Sequence, residues 1–265
     1  MPATIDEAIC IRQWDFSETS QTCALFTRGM GMVRALAKGS RRPKSPYSGG
    51  VEPLTRGRIG VIVRPQSELA LLTEWDLAEL FPALRANLRV HHAGLYVADL
   101  IQHAIHDHDP HVALYDETLE TLRLLQSPAD IGPAMLKFQW SVLVETGYRP
   151  MLDVDVRTGE TIGESRWHLF SAALGGLTSE RSEESGGESE GSEGAEAWRV
   201  RAGTIELLRG LEKDGLAGVA AADEGGNEGG HSVERANRLL ASYLRYVLGN
   251  EPPTMGLVFG GKLRR

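Results

Sequence analysis

The run Gln21-Thr22-Cys23-Ala24-Leu25-Phe26-Thr27-Arg28-Gly29-Met30-Gly31-Met32-Val33-Arg34-Ala35-Leu36-Ala37-Lys38 decides the fold. Its composition predicts two strands, Gln21–Arg28 and Met32–Lys38, joined by a glycine-marked turn. Upstream, Glu7–Phe16 is β-branched and aromatic enough for a strand, and Ser17–Ser20 supplies turn chemistry. Downstream, strands are expected over roughly 53–64 and 68–75, with Pro65-Gln66 between them. Five short strands in about 70 residues, punctuated by glycine and proline, predict a small closed barrel. Cys10 and Cys23 fall inside the first two strands and read as small buried hydrophobes.

Residues 28–64 also concentrate charge. They hold nine cations (Arg28, Arg34, Lys38, Arg41, Arg42, Lys44, Arg56, Arg58, Arg64) and one anion, Glu52. The stretch is therefore +8 in a chain of −8, which leaves −16 on the remainder. Such a basic stretch in an acidic protein is the electrostatic footprint of a polyanion. Its centre, Gly39-Ser40-Arg41-Arg42-Pro43-Lys44-Ser45-Pro46, has two prolines and no apolar run, so it reads as a loop that presents its cations. A merely solvated charged loop is the competing reading.

With 265 residues, 42% apolar and 24% charged, the chain can bury a sizeable core in one or two domains. No window is apolar over membrane-spanning length, and Met-Pro-Ala-Thr-Ile-Asp-Glu lacks the features of a signal peptide. Two cysteines do not make a disulfide scaffold, so a soluble cytoplasmic protein is expected.

After residue 80 the period changes to helical, over 83–106, 110–126 and 129–147, with Gly147 closing the third helix. Residues 148–177 read as a hairpin or small irregular module. Residues 178–197 are Ser/Glu/Gly-rich, carry seven glutamates, and are expected to be disordered. A helix over about 201–213, a glycine-rich breaker (Asp223–Gly230) and a last helix follow. Ser232 is expected to cap that last helix, and Gly249 to stop it. The fold class is therefore α+β multidomain, a barrel over 1–79 and a helical domain over 80–265.

Several stretches resemble RecO, the bacterial DNA-repair recombination mediator. They are Glu7-Ala8-Ile9, Ser17-Glu18, Leu25-Phe26-Thr27-Arg28 and Ala37-Lys38-Gly39-Ser40-Arg41-Arg42-Pro43-Lys44-Ser45 with Glu52-Pro53. Further on come Phe81-Pro82-Ala83-Leu84, Leu143-Val144-Glu145-Thr146-Gly147-Tyr148-Arg149-Pro150, Phe170-Ser171 and Gly175-Gly176-Leu177. The resemblance implies an N-terminal OB-fold and a helical C-terminal domain. It also implies binding of single- and double-stranded DNA, strand annealing, and help in loading recombinase in the RecF pathway at the nucleoid. RecR and single-stranded-DNA-binding protein are the implied partners, and a RecF-like partner is left open. Many family members carry a four-cysteine zinc site; the corresponding positions here are Asp155-x-x-Thr158 and Ser179-x-x-Ser182, within a degenerate module over 148–182. Hydroxyls at those spacings cannot replace thiolates, so no metal is expected, and about 10 kcal/mol of folding energy must come from elsewhere.

A barrel that binds nucleic acid needs cations along a groove and aromatic rings for bases. The expected DNA-binding residues are Arg34, Lys38, Arg41, Arg42 and Lys44, with Tyr47 as the stacking ring; Trp14, Phe16 and Phe26 read as possible core. Six histidines lie in 91–111, and His103-x-x-His106-x-His108 with Asp107 and Asp109 invites a metal-hydrolase reading. The turn chemistry of His106–Pro110 is unlike the helical H-E-x-x-H frame, which favours a polar loop. Asp153 and Asp155 would share a strand face, and exposure accounts for them. No phosphate-cradling motif and no nucleophile–base pairing stands out, so no enzyme is expected. The alternatives to a DNA mediator are an RNA-binding OB protein and an adaptor with vestigial DNA binding.

Overall fold

The computed structural model describes residues 2–42, 45, 47–48, 51–63, 67–179, 197–225 and 231–260. Strands β1 (Thr4–Asp15), β2 (Gln21–Thr27), β3 (Gly31–Ala37), β4 (Tyr47–Ser48), β5 (Thr55–Ile62) and β6 (Ala70–Leu80) come first. Helices α1 (Ala83–Ala86), α2 (Leu88–Ala104), α3 (Val112–Leu124) and α4 (Ile131–Glu145) follow. Then come β7 (Trp167–Ser171), β8 (Gly176–Thr178), β9 (Ala197–Arg201), α5 (Ala202–Asp214), α6 (Leu216–Gly225), α7 (Ser232–Leu248) and α8 (Met255–Phe259). None of the described helices is long and apolar enough to cross a membrane.

β1 pairs antiparallel with β2 and β5, β2 with β3, and β5 with β6. The parallel pairing of β3 with β6, Ala35 opposite Ala70, closes the ring. The result is a five-stranded closed barrel with the strand order of an OB-fold, as the sequence predicts. Alternation sends Ala8, Cys10, Cys23, Leu25, Val33, Ala35, Ile59, Val61, Leu72 and Trp75 into its interior. A Cβ on Gly57 would meet the Trp75 ring at 2.8 Å, so only glycine lets that indole fill the barrel. Burial pushes the Cys23 thiol up to about 12 and raises Cys10 as well, which suits inert core residues.

By packing, the described residues divide into two compact units, one over 2–131 with 252–260 and the other over 132–251. The change from strand to helix after Leu80 therefore lies inside the first unit. The reason is apolar residues on the barrel's outside: Ile9, Ile11, Ala24, Phe26 and Met32 are buried there. Phe26 meets Tyr115 of α3 with ring centres 5.6 Å apart. Asn87 starts α2 by accepting the N–H groups of Arg89 and Val90, at 2.9 and 3.2 Å. Buried Asp99 of α2 accepts Arg12 of β1 at 3.1 Å, and the N–H and hydroxyl of Thr254 at 3.1 and 2.6 Å. One carboxylate thus fastens strand, helix and the start of α8 together.

In the second unit, β8, β7 and β9 form an antiparallel sheet. Phe170 stacks on Trp198 and meets Tyr243 of α7 edge-on. Buried Gln139 of α4 donates to Asn237 of α7 at 2.8 Å. Gly249 ends α7 with φ 69°, as expected. Two local expectations are corrected. Ser232 is the first residue of α7, its cap position falling to His231. Thr178 and Ala197 belong to strands β8 and β9, so the acidic insert is shorter than 178–197. Its body, 180–196, lies outside the described residues.

Candidate nucleic-acid interface

The turn after β3 is built by hydrogen bonds to the turn after β1. Gly39 adopts a φ of +72°, the left-handed region that glycine enters at no steric cost, and its carbonyl accepts Arg42 N–H at 3.1 Å. Arg41 N–H donates to the Thr19 carbonyl at 3.1 Å and Gly39 N–H to Ser20 Oγ at 3.0 Å. Beneath them Ser40 donates to Gln21, whose amide donates to Gln13 at 2.9 Å and to the Val51 carbonyl at 2.7 Å. These bonds hold the turn in place and leave Lys38, Arg41 and Arg42 exposed. Arg41 pairs with Asp15, and Arg34, outward on β3, lies 3.5 Å from Asp107.

The count of nine cations overstates what this surface offers. Arg28 forms a two-pronged pair with Asp116 at 3.0 and 2.8 Å, which holds the Asp116 carboxyl below its usual range. Arg56 is held by Glu7 at 2.9 Å and Glu79 at 3.6 Å. Glu52, the one anion of the stretch, is occupied by Arg85 at 2.7 Å. Lys44 and Arg64 lie outside the described residues. That leaves exposed Arg58 on β5 and, of the expected cluster, Arg34, Lys38, Arg41 and Arg42.

Tyr47 is not available to stack on a base. It is 6% exposed, packs into the barrel core, and donates its hydroxyl to the Leu72 carbonyl at 2.7 Å. The two-residue strand β4 draws it inward by pairing with Trp75 and Asp76 of β6. Tyr47→Phe is therefore expected to cost about 1 kcal/mol of stability, read by denaturant unfolding, and to leave DNA affinity unchanged. Loss of DNA binding without loss of stability would return Tyr47 to the surface role. The exposed aromatics of this region are Trp14 and Phe16, at 44% and 60%, whereas Phe26 is fully buried.

The histidines do not gather. His91 Nδ1 lies 2.9 Å from the Leu84 carbonyl and His103 Nδ1 2.7 Å from that of Asp99. His108, at φ 62°, donates its N–H to Met32 of β3. Among the described residues no group of three or more His, Cys, Asp or Glu could hold a metal ion. Asp155, at one of the positions where the resemblance places a zinc cysteine, is not the exposed carboxylate expected but is 3% exposed. Its oxygens accept Arg157 N–H at 2.8 Å, Thr158 N–H at 3.3 Å, and Ser179 N–H and hydroxyl at 2.6 and 2.5 Å. A carboxylate already surrounded by four donors, with hydroxyls beside it, does not fit structural zinc. Asp153 instead pairs with Arg209 at 3.0 Å, so the two aspartates do not act together.

A closed OB barrel with an outward basic turn, continued by helices, has the build that suits nucleic-acid binding. The family models Recombination protein O N terminal and Recombination protein O C terminal match residues 1–81 and 85–255. The chain belongs to the RecO family. It is 30% identical over 242 residues to the DNA repair protein RecO of Anaeromyxobacter dehalogenans (strain 2CP-C), covering 91% of this chain and 90% of that one. Against that of Rhodopirellula baltica it is 34% identical over 169 residues, 64% of this chain and 63% of the relative. That of Pelotomaculum thermopropionicum matches at 30% over 244 residues, 91% and 85%. Its role lies in DNA repair and recombination.

Proposed function

We propose that this protein binds single- and double-stranded DNA without sequence preference and anneals complementary strands. In this reading it acts with RecR and single-stranded-DNA-binding protein to help load recombinase in the RecF pathway, as a mediator and not a catalyst. The observation that carries the reading is the turn Lys38–Arg42, braced against the β1–β2 turn so that its cations face outward from a closed barrel. Cations so placed meet phosphates, which are alike in single strands and duplex and carry no base information. Family membership supports the same role, since the relatives named above are DNA repair proteins.

The test is annealing of complementary strands coated with single-stranded-DNA-binding protein, followed by fluorescence transfer. The purified protein is expected to speed pairing well above the spontaneous rate, and RNA of equal length to compete no better than DNA. A rate equal to the spontaneous one overturns the annealing role. Preferential displacement by RNA turns the reading toward an RNA-binding protein.

A further inference from the structure

We propose that Trp14 and Phe16 form a stacking platform for unpaired bases, and that this platform gives the interface a preference for single strands. The proposal rests on the DNA-binding reading above and assigns the two components of that interface to different side chains.

Trp14 is the next-to-last residue of β1 and Phe16 follows the strand, its N–H donating to the Ser20 carbonyl at 3.1 Å. Both lie beyond the bulge between Cys10 and Arg12, where β1 shifts register against β2. Past that bulge Trp14 stands opposite Thr22, Thr22 opposite Leu36, Leu36 opposite Leu71, and Leu71 opposite Ile62. The neighbours of Thr22 and Leu36 along their strands, Cys23, Ala35 and Ala37, point into the barrel, so this row faces out. It is half-exposed at Thr22, Leu36, Leu71 and Ile62, an apolar band across the barrel wall.

Cations border the band on both sides. Two residues along the strands runs the row Arg12–Ala24–Arg34. On the other side sits the basic turn, hydrogen-bonded to Thr19 and Ser20 and ion-paired to Asp15, between the two aromatics in sequence. The anions here are Asp15, which Arg41 already neutralises, and exposed Glu18 on the β1–β2 turn. Arg12 is held by Asp99 and Arg34 by Asp107, so the turn supplies the readier phosphate contacts.

This arrangement distinguishes the two forms of DNA. Phosphates of either form can meet Lys38, Arg41 and Arg42. An exposed indole or phenyl ring gains from a base only when that base has a free face, and in duplex both faces are covered by neighbouring pairs. The cations then set affinity for both forms, and the rings add to one of them.

The experiment measures binding of a fluorescent thymidine homopolymer and of a duplex of equal length, over a salt series. Comparing wild type with Trp14→Ala/Phe16→Ala, single-strand affinity is expected to fall about 5- to 150-fold, with duplex affinity within about twofold and the salt slopes unchanged. Trp14→Phe, which keeps a ring, is expected to restore most of the single-strand affinity, and unchanged far-UV spectra verify the fold. Equal loss on both forms, or no loss on either, overturns the platform while leaving the DNA-binding reading standing. Wild-type protein that binds neither form overturns that reading and the platform with it.

Discussion

Replacing Lys38, Arg41 and Arg42 together with alanine weakens binding to single strands and duplex alike, on the order of 100-fold at low salt and whatever the base sequence. The three cations share one turn and face water. If about four to six phosphates are engaged on a single strand, the log–log salt slope of wild type is roughly −3 to −4, and the variant's is shallower by about 2. The two curves therefore converge as salt rises. The turn itself survives, because its bonds to Thr19 and Ser20 use the backbone N–H groups of Arg41 and Gly39. Arg41 is free to exchange partners, since an exposed pair such as the one with Asp15 is worth under about 1 kcal/mol. Equilibrium binding by anisotropy checks this, and affinity equal to wild type at low salt removes the basic turn from the interface.

The barrel was legible because its signals are local. Alternation through β1, β2 and β3 and the glycine turn at Gly29–Gly31 suffice to place three neighbouring strands. The helices α2, α3, α4 and α7 were legible from their 3.6-residue period. Helix α6 was not, because Leu216-Ala217-Gly218-Val219-Ala220-Ala221-Ala222 has no polar face to set a period. What makes it a helix is close packing on α5, where a Cβ on Gly218 would fall 2.0 Å from the Gly210 carbonyl oxygen. Strand β9 was hidden for a related reason: Trp198-Arg199-Val200 follows directly on the acidic stretch, and its partner β7 lies some thirty residues upstream (Phe170 opposite Trp198).

The site was half legible. Charge density picks out Lys38–Arg42, but it cannot show that Arg28 and Arg56 are committed to Asp116, Glu7 and Glu79. Tyr47 lies between Pro46 and a glycine pair, a setting that reads as exposed loop, and only its pairing with β6 brings it indoors. Trp14 and Phe16 erred in the opposite direction. An aromatic on a strand reads as core, and what exposes these two is a bulge and the limited reach of the helical cover, neither of which leaves a local sequence mark.

Removing the Asp155 carboxylate is expected to lower the melting temperature by several degrees at neutral pH, with an effect that disappears in acid. Asp155 joins the loop after Met151 to the end of β8, bonding Arg157 and Thr158 on its own side and Ser179 across. Asp155 and Ser179 occupy two of the positions where the resemblance places zinc cysteines, one from each pair. A carboxylate accepting from a serine therefore joins the two segments that the zinc site implied by the resemblance would join. The Ser179 hydroxyl, then the Ser179 and Arg157 N–H groups, hold this carboxyl down at about 2, against an ordinary value of 3.8. Because the folded value is the lower one, the stabilisation is complete above about pH 4 and is lost as pH falls toward about 2. Asp155→Ala leaves four donors without their acceptor, and Asp155→Asn turns an N–H₂ toward one pair of them, so both variants are expected to melt early. The measurement is thermal unfolding of wild type and both variants from neutral pH down to about 2, with gaps that close between about 4 and 2. Wild type and variants running parallel over that range, or a chelator that lowers the wild-type melt, would show that something other than this carboxylate holds the module.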